Sequence, residues 1–154
     1  MVIVIDYHTD EAAEDIVPEE WMGLIVGHAP ERRVPVRDGW KRRLDLEFAD
    51  DSTHDHARMF GDEHAHAVSN FFTTLVQDAK PFALAVRCVH GRHNAAAIAL
   101  ALGERIGRYV PAYAPHNRRI RELLGSKLGE SESRTSRRSA LAQRIHYHLK
   151  AAAR

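Results

Sequence analysis

Cys88, the only cysteine in the chain, closes the apolar run Phe82-Ala83-Leu84-Ala85-Val86-Arg87 and is followed by Val89, His90, Gly91, Arg92, His93 and Asn94. A thiol placed there can do chemistry if the residues behind it start a helix. Unpaired amides and the positive end of a helix dipole favour an anion, so a thiolate at Cys88 would be stabilised and a phosphate could be cradled by residues 89 to 94. Arg92 can add charge from the loop, and His90 and His93 can contact an anion. The competing reading is an inert cysteine buried at a strand end, with Arg92 and the histidines as ordinary loop residues.

The surrounding pattern supplies the elements that such a loop needs. The run ending at Cys88 is continuous enough for a strand buried on both faces, and Asn94 is a favourable N-cap for a small apolar helix from Ala95 to Ile106, stopped by Gly107. Upstream, Val2 to Ile5 reads as a strand, and Thr9-Asp10-Glu11 as a helix start. Met22 to Gly27 reads as a second buried strand. Leu44, Leu46 and Phe48 alternate with Asp45 and Glu47, which predicts a half-buried strand at a sheet edge. Val68, Phe71, Phe72, Leu75 and Val76 share one face of a helix running to about Ala79. A further helix is expected from about His116 to Lys127, with Gly125, Gly129 and the serine-rich stretch to Ser139 as a linker. The fold class is therefore α/β, a mostly parallel central sheet flanked by helices, and such sheets bind ligands at their carboxyl edge.

At Cys88 and Gly91 the chain resembles the cysteine-dependent protein tyrosine and dual-specificity phosphatases, closest to the small bacterial predicted tyrosine phosphatase type. Their signature is His-Cys-x-x-Gly-x-x-Arg-Ser/Thr. The resemblance covers roughly residues 1 to 130 and extends loosely to Leu44-Asp45-Leu46-Glu47-Phe48-Ala49-Asp50. It implies a tyrosine-phosphatase-like fold, with Cys88 as nucleophile, residues 89 to 94 as the phosphate-binding loop and Asp50 as general acid, Asp51 being the neighbouring candidate. The chain departs from the signature at three places: Arg87 for His, Asn94 for the invariant Arg, and Ala95 for Ser or Thr. A guanidinium gives phosphate oxygens paired, permanently charged donors, and Asn94 gives neither. Ala95 lacks the hydroxyl that helps the cysteine leave. On a strand, Arg87 points away from the face of Val86 and Cys88 and is placed to pair with a carboxylate. The expectation is a pseudophosphatase or a weak cysteine-dependent phosphatase that binds a phosphorylated ligand or phosphoprotein.

With 154 residues and 44% hydrophobic content, the chain suits one cored domain over 1–130 followed by a basic tail or helix over 131–154. The net charge of +1 hides an asymmetry. Residues 134–154 carry six Lys/Arg and no Asp/Glu, against −5 for residues 1–133. Leu141, Ile145 and Leu149 form one helical stripe in that tail, which must dock on its own domain or on a partner. The alternative function is thus an interaction protein working through 134–154 on nucleic acid or an acidic partner. One cysteine excludes an internal disulfide framework and suits the reducing cytoplasm. Apolar stretches fall short of the roughly 20 residues of a membrane span. No cofactor or structural metal is expected. His54-Asp55-His56 and His64-Ala65-His66 have ligand-type residues, but i and i+2 diverge on a helix.

Overall fold

The computed structural model describes residues 2–9, 14–49, 58–78, 80–89, 92–110 and 116–130. Strands β1 (Val2–Thr9), β2 (Met22–His28), β3 (Arg43–Glu47) and β4 (Phe82–Cys88) form one sheet in the order β1-β4-β2-β3, with every neighbouring pair parallel. Helix α1 (Asp62–Gln77) joins β3 to β4, and α2 (Arg92–Arg105) follows β4. A third helix, α3, covers 118–130. The α/β class and parallel sheet agree with the sequence expectation.

Strand position follows composition. β2 and β4 are central and buried almost throughout, as their unbroken apolar runs require, whereas β3 alternates and lies at the edge. Strand alternation then sorts the side chains into two layers. Ile5, Ile25, Leu46, Leu84, Val86 and Cys88 point to one face, where they meet Val68, Phe72 and Leu75 of α1, Ile98 and Leu102 of α2, and Ile120 and Leu124 of α3. The opposite face carries Leu24, Val26 and Ala85, covered by Ile16, Val34, Val36 and Trp40 from the irregular segments before β2 and between β2 and β3. Among the described residues, no helix packs on this second face.

Helix α2 is buried nearly all round, from Asn94 through Ala99 and again at Ala101 and Leu102, because it lies in the same core cluster as the sheet and α3. Its small side chains make that packing possible. A Cβ on Gly103 would stand 2.5 Å from Val110 Cγ2 and 2.9 Å from the Arg108 carbonyl, so the chain can fold back on the helix only over a hydrogen there. Gly107, at φ +63°, turns the chain out of α2 as expected of a left-handed stop.

Several details differ from the sequence reading. Asn94 is not the N-cap: α2 begins at Arg92, and Asn94 is inside its first turn. α3 runs through Gly125 and Gly129 instead of yielding to a linker there. Residues 14–21 form no helix, and the predicted start at Asp10 lies outside the described residues, as do the tail 131–154, Asp50, Asp51, His90 and Gly91. No helix among the described residues is long and apolar enough to cross a membrane.

Candidate functional site

Because all four strands are parallel, their carboxyl ends share one edge, which gathers Cys88, the segment after it and the start of α2. The segment leaving β4 is anchored by the Val89 amide, which donates to the Gly27 carbonyl at 2.9 Å. The chain then passes through His90 and Gly91 into α2. The first turn of α2 holds Arg92, His93 and Asn94 and no carboxylate, whereas α1 opens with Asp62 and Glu63. The positive dipole end of α2 is therefore not neutralised by its own side chains. His93 is exposed, and Val89 is half-buried.

Cys88 does not have the environment of an activated thiol. It is 1% exposed and lies among the core side chains of the helical face. Burial pushes its pKa up to about 12, outweighing the Gly27 backbone hydrogen bond and the charge of Arg87, which both act downward. This corrects the expectation of a stabilised thiolate. The helix dipole is weaker here than the cost of placing a charge in an apolar core.

Asn94 is also committed elsewhere. It is 2% exposed, and its Oδ1 accepts a hydrogen bond from Asn117 Nδ2 at 2.9 Å. Asn117 Oδ1 accepts from the Ile120 amide at 3.2 Å, capping α3, and the Asn117 amide donates to the His93 carbonyl at 3.0 Å. Asn94 thus fastens α3 to the first turn of α2. Ala95 is fully buried behind it. Sequence reasoning missed Asn117, although an Asn just ahead of a helical run is an N-cap signal.

Arg87 behaves as strand alternation predicts, pointing to the helix-free face with Nη2 3.8 Å from Asp6 Oδ2. It is 3% exposed; Nη1 donates to the Val86 carbonyl, while Nε has no partner. Burial lowers its pKa, and Asp6 opposes that shift. Its charge acts to lower the Cys88 pKa and is outweighed by burial.

Comparison with known protein families, curated proteins and solved structures returns no match. The edge itself shows one polar cluster that the sequence reading did not anticipate. His28, 3% exposed, accepts the Val34 amide on Nδ1 at 3.0 Å, so its proton sits on Nε2 and is donated to Asp45 Oδ1 at 2.7 Å. Arg43 grips the same carboxylate through Nε at 2.7 Å and Nη2 at 2.6 Å. Both imidazole nitrogens are occupied, which makes His28 a positioning group for the 29–34 loop and not a base.

Burial raises the Asp45 pKa, but the hydrogen bonds from Arg43 and His28 outweigh it and leave the net shift downward. A carboxylate with a depressed folded pKa stabilises the fold above its ordinary value of 3.8 and loses that contribution as pH falls below it. Asp45→Asn is expected to flatten the acid limb of a pH–stability curve in that range. Urea midpoints measured from neutral pH downward check this, and an unchanged acid limb would contradict it.

Of the two histidine pairs, only His64 and His66 lie within the described residues. His64 accepts the Gly61 amide on Nδ1 at 3.1 Å and donates from Nε2 to the Glu47 carbonyl at 2.9 Å, tying the start of α1 to the end of β3. His66 is exposed, and His54, Asp55 and His56 lie outside the described residues. No group of three metal-ligating side chains occurs among the described residues.

Proposed function

We propose that this chain is a tyrosine-phosphatase-like protein that binds a phosphorylated ligand or phosphoprotein without turning it over, a pseudophosphatase. The observation that carries this reading is a contrast at the carboxyl edge of the sheet: α2 opens without a carboxylate, while Cys88, Asn94 and Ala95 are withdrawn into the interior. The strand, loop and helix stand at the carboxyl edge of a parallel sheet, and α2 opens without a carboxylate. The Cys88 thiol is buried and protonated at neutral pH. Asn94 and Ala95, at the positions of the family's Arg and Ser/Thr, face the interior. Arg92 supplies the charge for the ligand, together with His93 and the loop amides around Gly91.

Thermal unfolding with and without inorganic phosphate and an aryl phosphate tests the reading. Ligand that binds only the folded state raises the midpoint in proportion to RT ln(1 + [L]/Kd). Both ligands are expected to raise it in the native chain, and neither in Gly91→Glu, whose carboxylate would fill and repel at the loop. An upward shift that persists in Gly91→Glu, or no shift in the native chain, would remove the loop from consideration.

A further inference from the structure

Parallel sheets are stable when both faces are covered, and here helices cover one face while irregular segments cover only part of the other. All three described helices lie on the face of Ile5, Ile25 and Val86. On the other face, the register places Val4, Ala83 and Met22 side by side across β1, β4 and β2. Val4 is 50% exposed there. The adjoining segment reads Glu14-Asp15-Ile16-Val17-Pro18-Glu19-Glu20 and continues into Trp21, with Val17 58% and Trp21 49% exposed. Ile16 packs on the same helix-free face, and the Trp21 indole donates to Glu19, so the ring stays with this segment. The segment has four carboxylates and no cation. Glu20 pairs with Lys41, and Arg37 Nε donates to the Glu14 backbone carbonyl at 2.6 Å, so the negative charge of the segment is offset only in part.

The chain itself carries a matching piece. Residues 134–154 have six Lys/Arg and no Asp/Glu, with Leu141, Ile145 and Leu149 on one helical stripe. The lengths also fit. From Leu141 to Leu149 a helix rises about 12 Å, and the row Val4, Ala83, Met22 crosses three strands over about 10 Å. As a connection, residues 131–138 reach up to about 26 Å. They leave α3 near the start of α1, where Lys127 Nζ is 3.8 Å from Asp62 Oδ1.

We propose that residues 139–154 dock on the helix-free face of the sheet, laying Leu141, Ile145 and Leu149 over Val4, Met22 and Ala83 and their basic residues against the acidic segment 14–20. The tail then extends the cover of this face to the amino ends of its strands, where Val4 is exposed. This assignment stands apart from the phosphate-loop reading and uses none of its residues.

Thiol accessibility tests it, because Cys88 is buried and gives a silent background. Val4→Cys is labelled with a maleimide in the full chain and in the chain truncated after Glu132, with Val17→Cys as a second site. Labelling should be severalfold slower in the full chain, independent of protein concentration, and faster again when salt screens the charges. Leu141→Asp with Leu149→Asp in the full chain should reproduce the truncated rate, which keeps the test valid if the truncated chain does not fold. Equal rates with and without the tail, or with the two aspartates, would overturn the proposal. Protection that grows with protein concentration would also overturn it, since a second copy would then be the occupant.

Discussion

Purified protein is expected to hydrolyse an aryl phosphate no faster than its Cys88→Ser variant at neutral pH. A thiol with a pKa of about 12 is ionised in about one molecule in 10⁵ at pH 7, against about one in 10² for an ordinary thiol at 9.0. The net shift, driven by burial, therefore removes about three decades of nucleophile. Loss of a transition-state donor at Asn94 removes roughly another 10²–10³ in rate. Any residual Cys88 chemistry should rise about tenfold per pH unit from neutral into alkaline conditions, because the thiolate fraction does so below the pKa. Iodoacetamide should likewise leave Cys88 unmodified in native protein at neutral pH and alkylate it in urea. Hydrolysis at neutral pH that disappears in Cys88→Ser would show a working cysteine phosphatase and refute the pseudophosphatase reading.

Gly27→Ala should destabilise the fold by about 1–3 kcal/mol, the usual cost of forcing a methyl group into a filled core. The new Cβ would lie 2.8 Å from Cys88 Sγ and 3.0 and 3.1 Å from the Phe48 ring. Replacing Gly by Ala otherwise gains about 0.4–1 kcal/mol by restricting the unfolded chain, so the steric cost decides the sign. Cys88→Ala removes the nearest atom. The double variant Gly27→Ala with Cys88→Ala should therefore be more stable than the sum of the single changes predicts, with Phe48 limiting the recovery. Urea unfolding of the four proteins gives the coupling directly. Simple additivity would mean that Gly27 and Cys88 do not share the space that their geometry gives them.

The elements were legible where side-chain period decides them. The unbroken apolar runs of β2 and β4, the alternation in β3 and the helical stripe of α1 each have a single physical solution. Arg87 followed from strand alternation alone. The site was less legible, because its chemistry depends on what surrounds each residue. Nothing in the local sequence shows that Cys88 is enclosed by core side chains from elements distant in the chain, or that Asn94 is held by Asn117. Asn94 looked like an N-cap because an Asn before an alanine run usually is one, but α2 starts two residues earlier. The pairing of His28 with Asp45 and Arg43 needed the register of β2 with β3, which alternation does not supply.

The strand order also sets the sequence in which the sheet can be assembled. β1 pairs with β4 alone, and its first register partner, Phe82, lies 80 residues along the chain from Val2. Among the described strands, β1 therefore has no neighbour until the loop closure that brings in β4 has been made. During that interval Val2-Ile3-Val4-Ile5 is an apolar stretch with unpaired backbone groups. Completion of β4 thus gives β1 its partner in the sheet, and slow translation before residue 88 would prolong the unpaired interval.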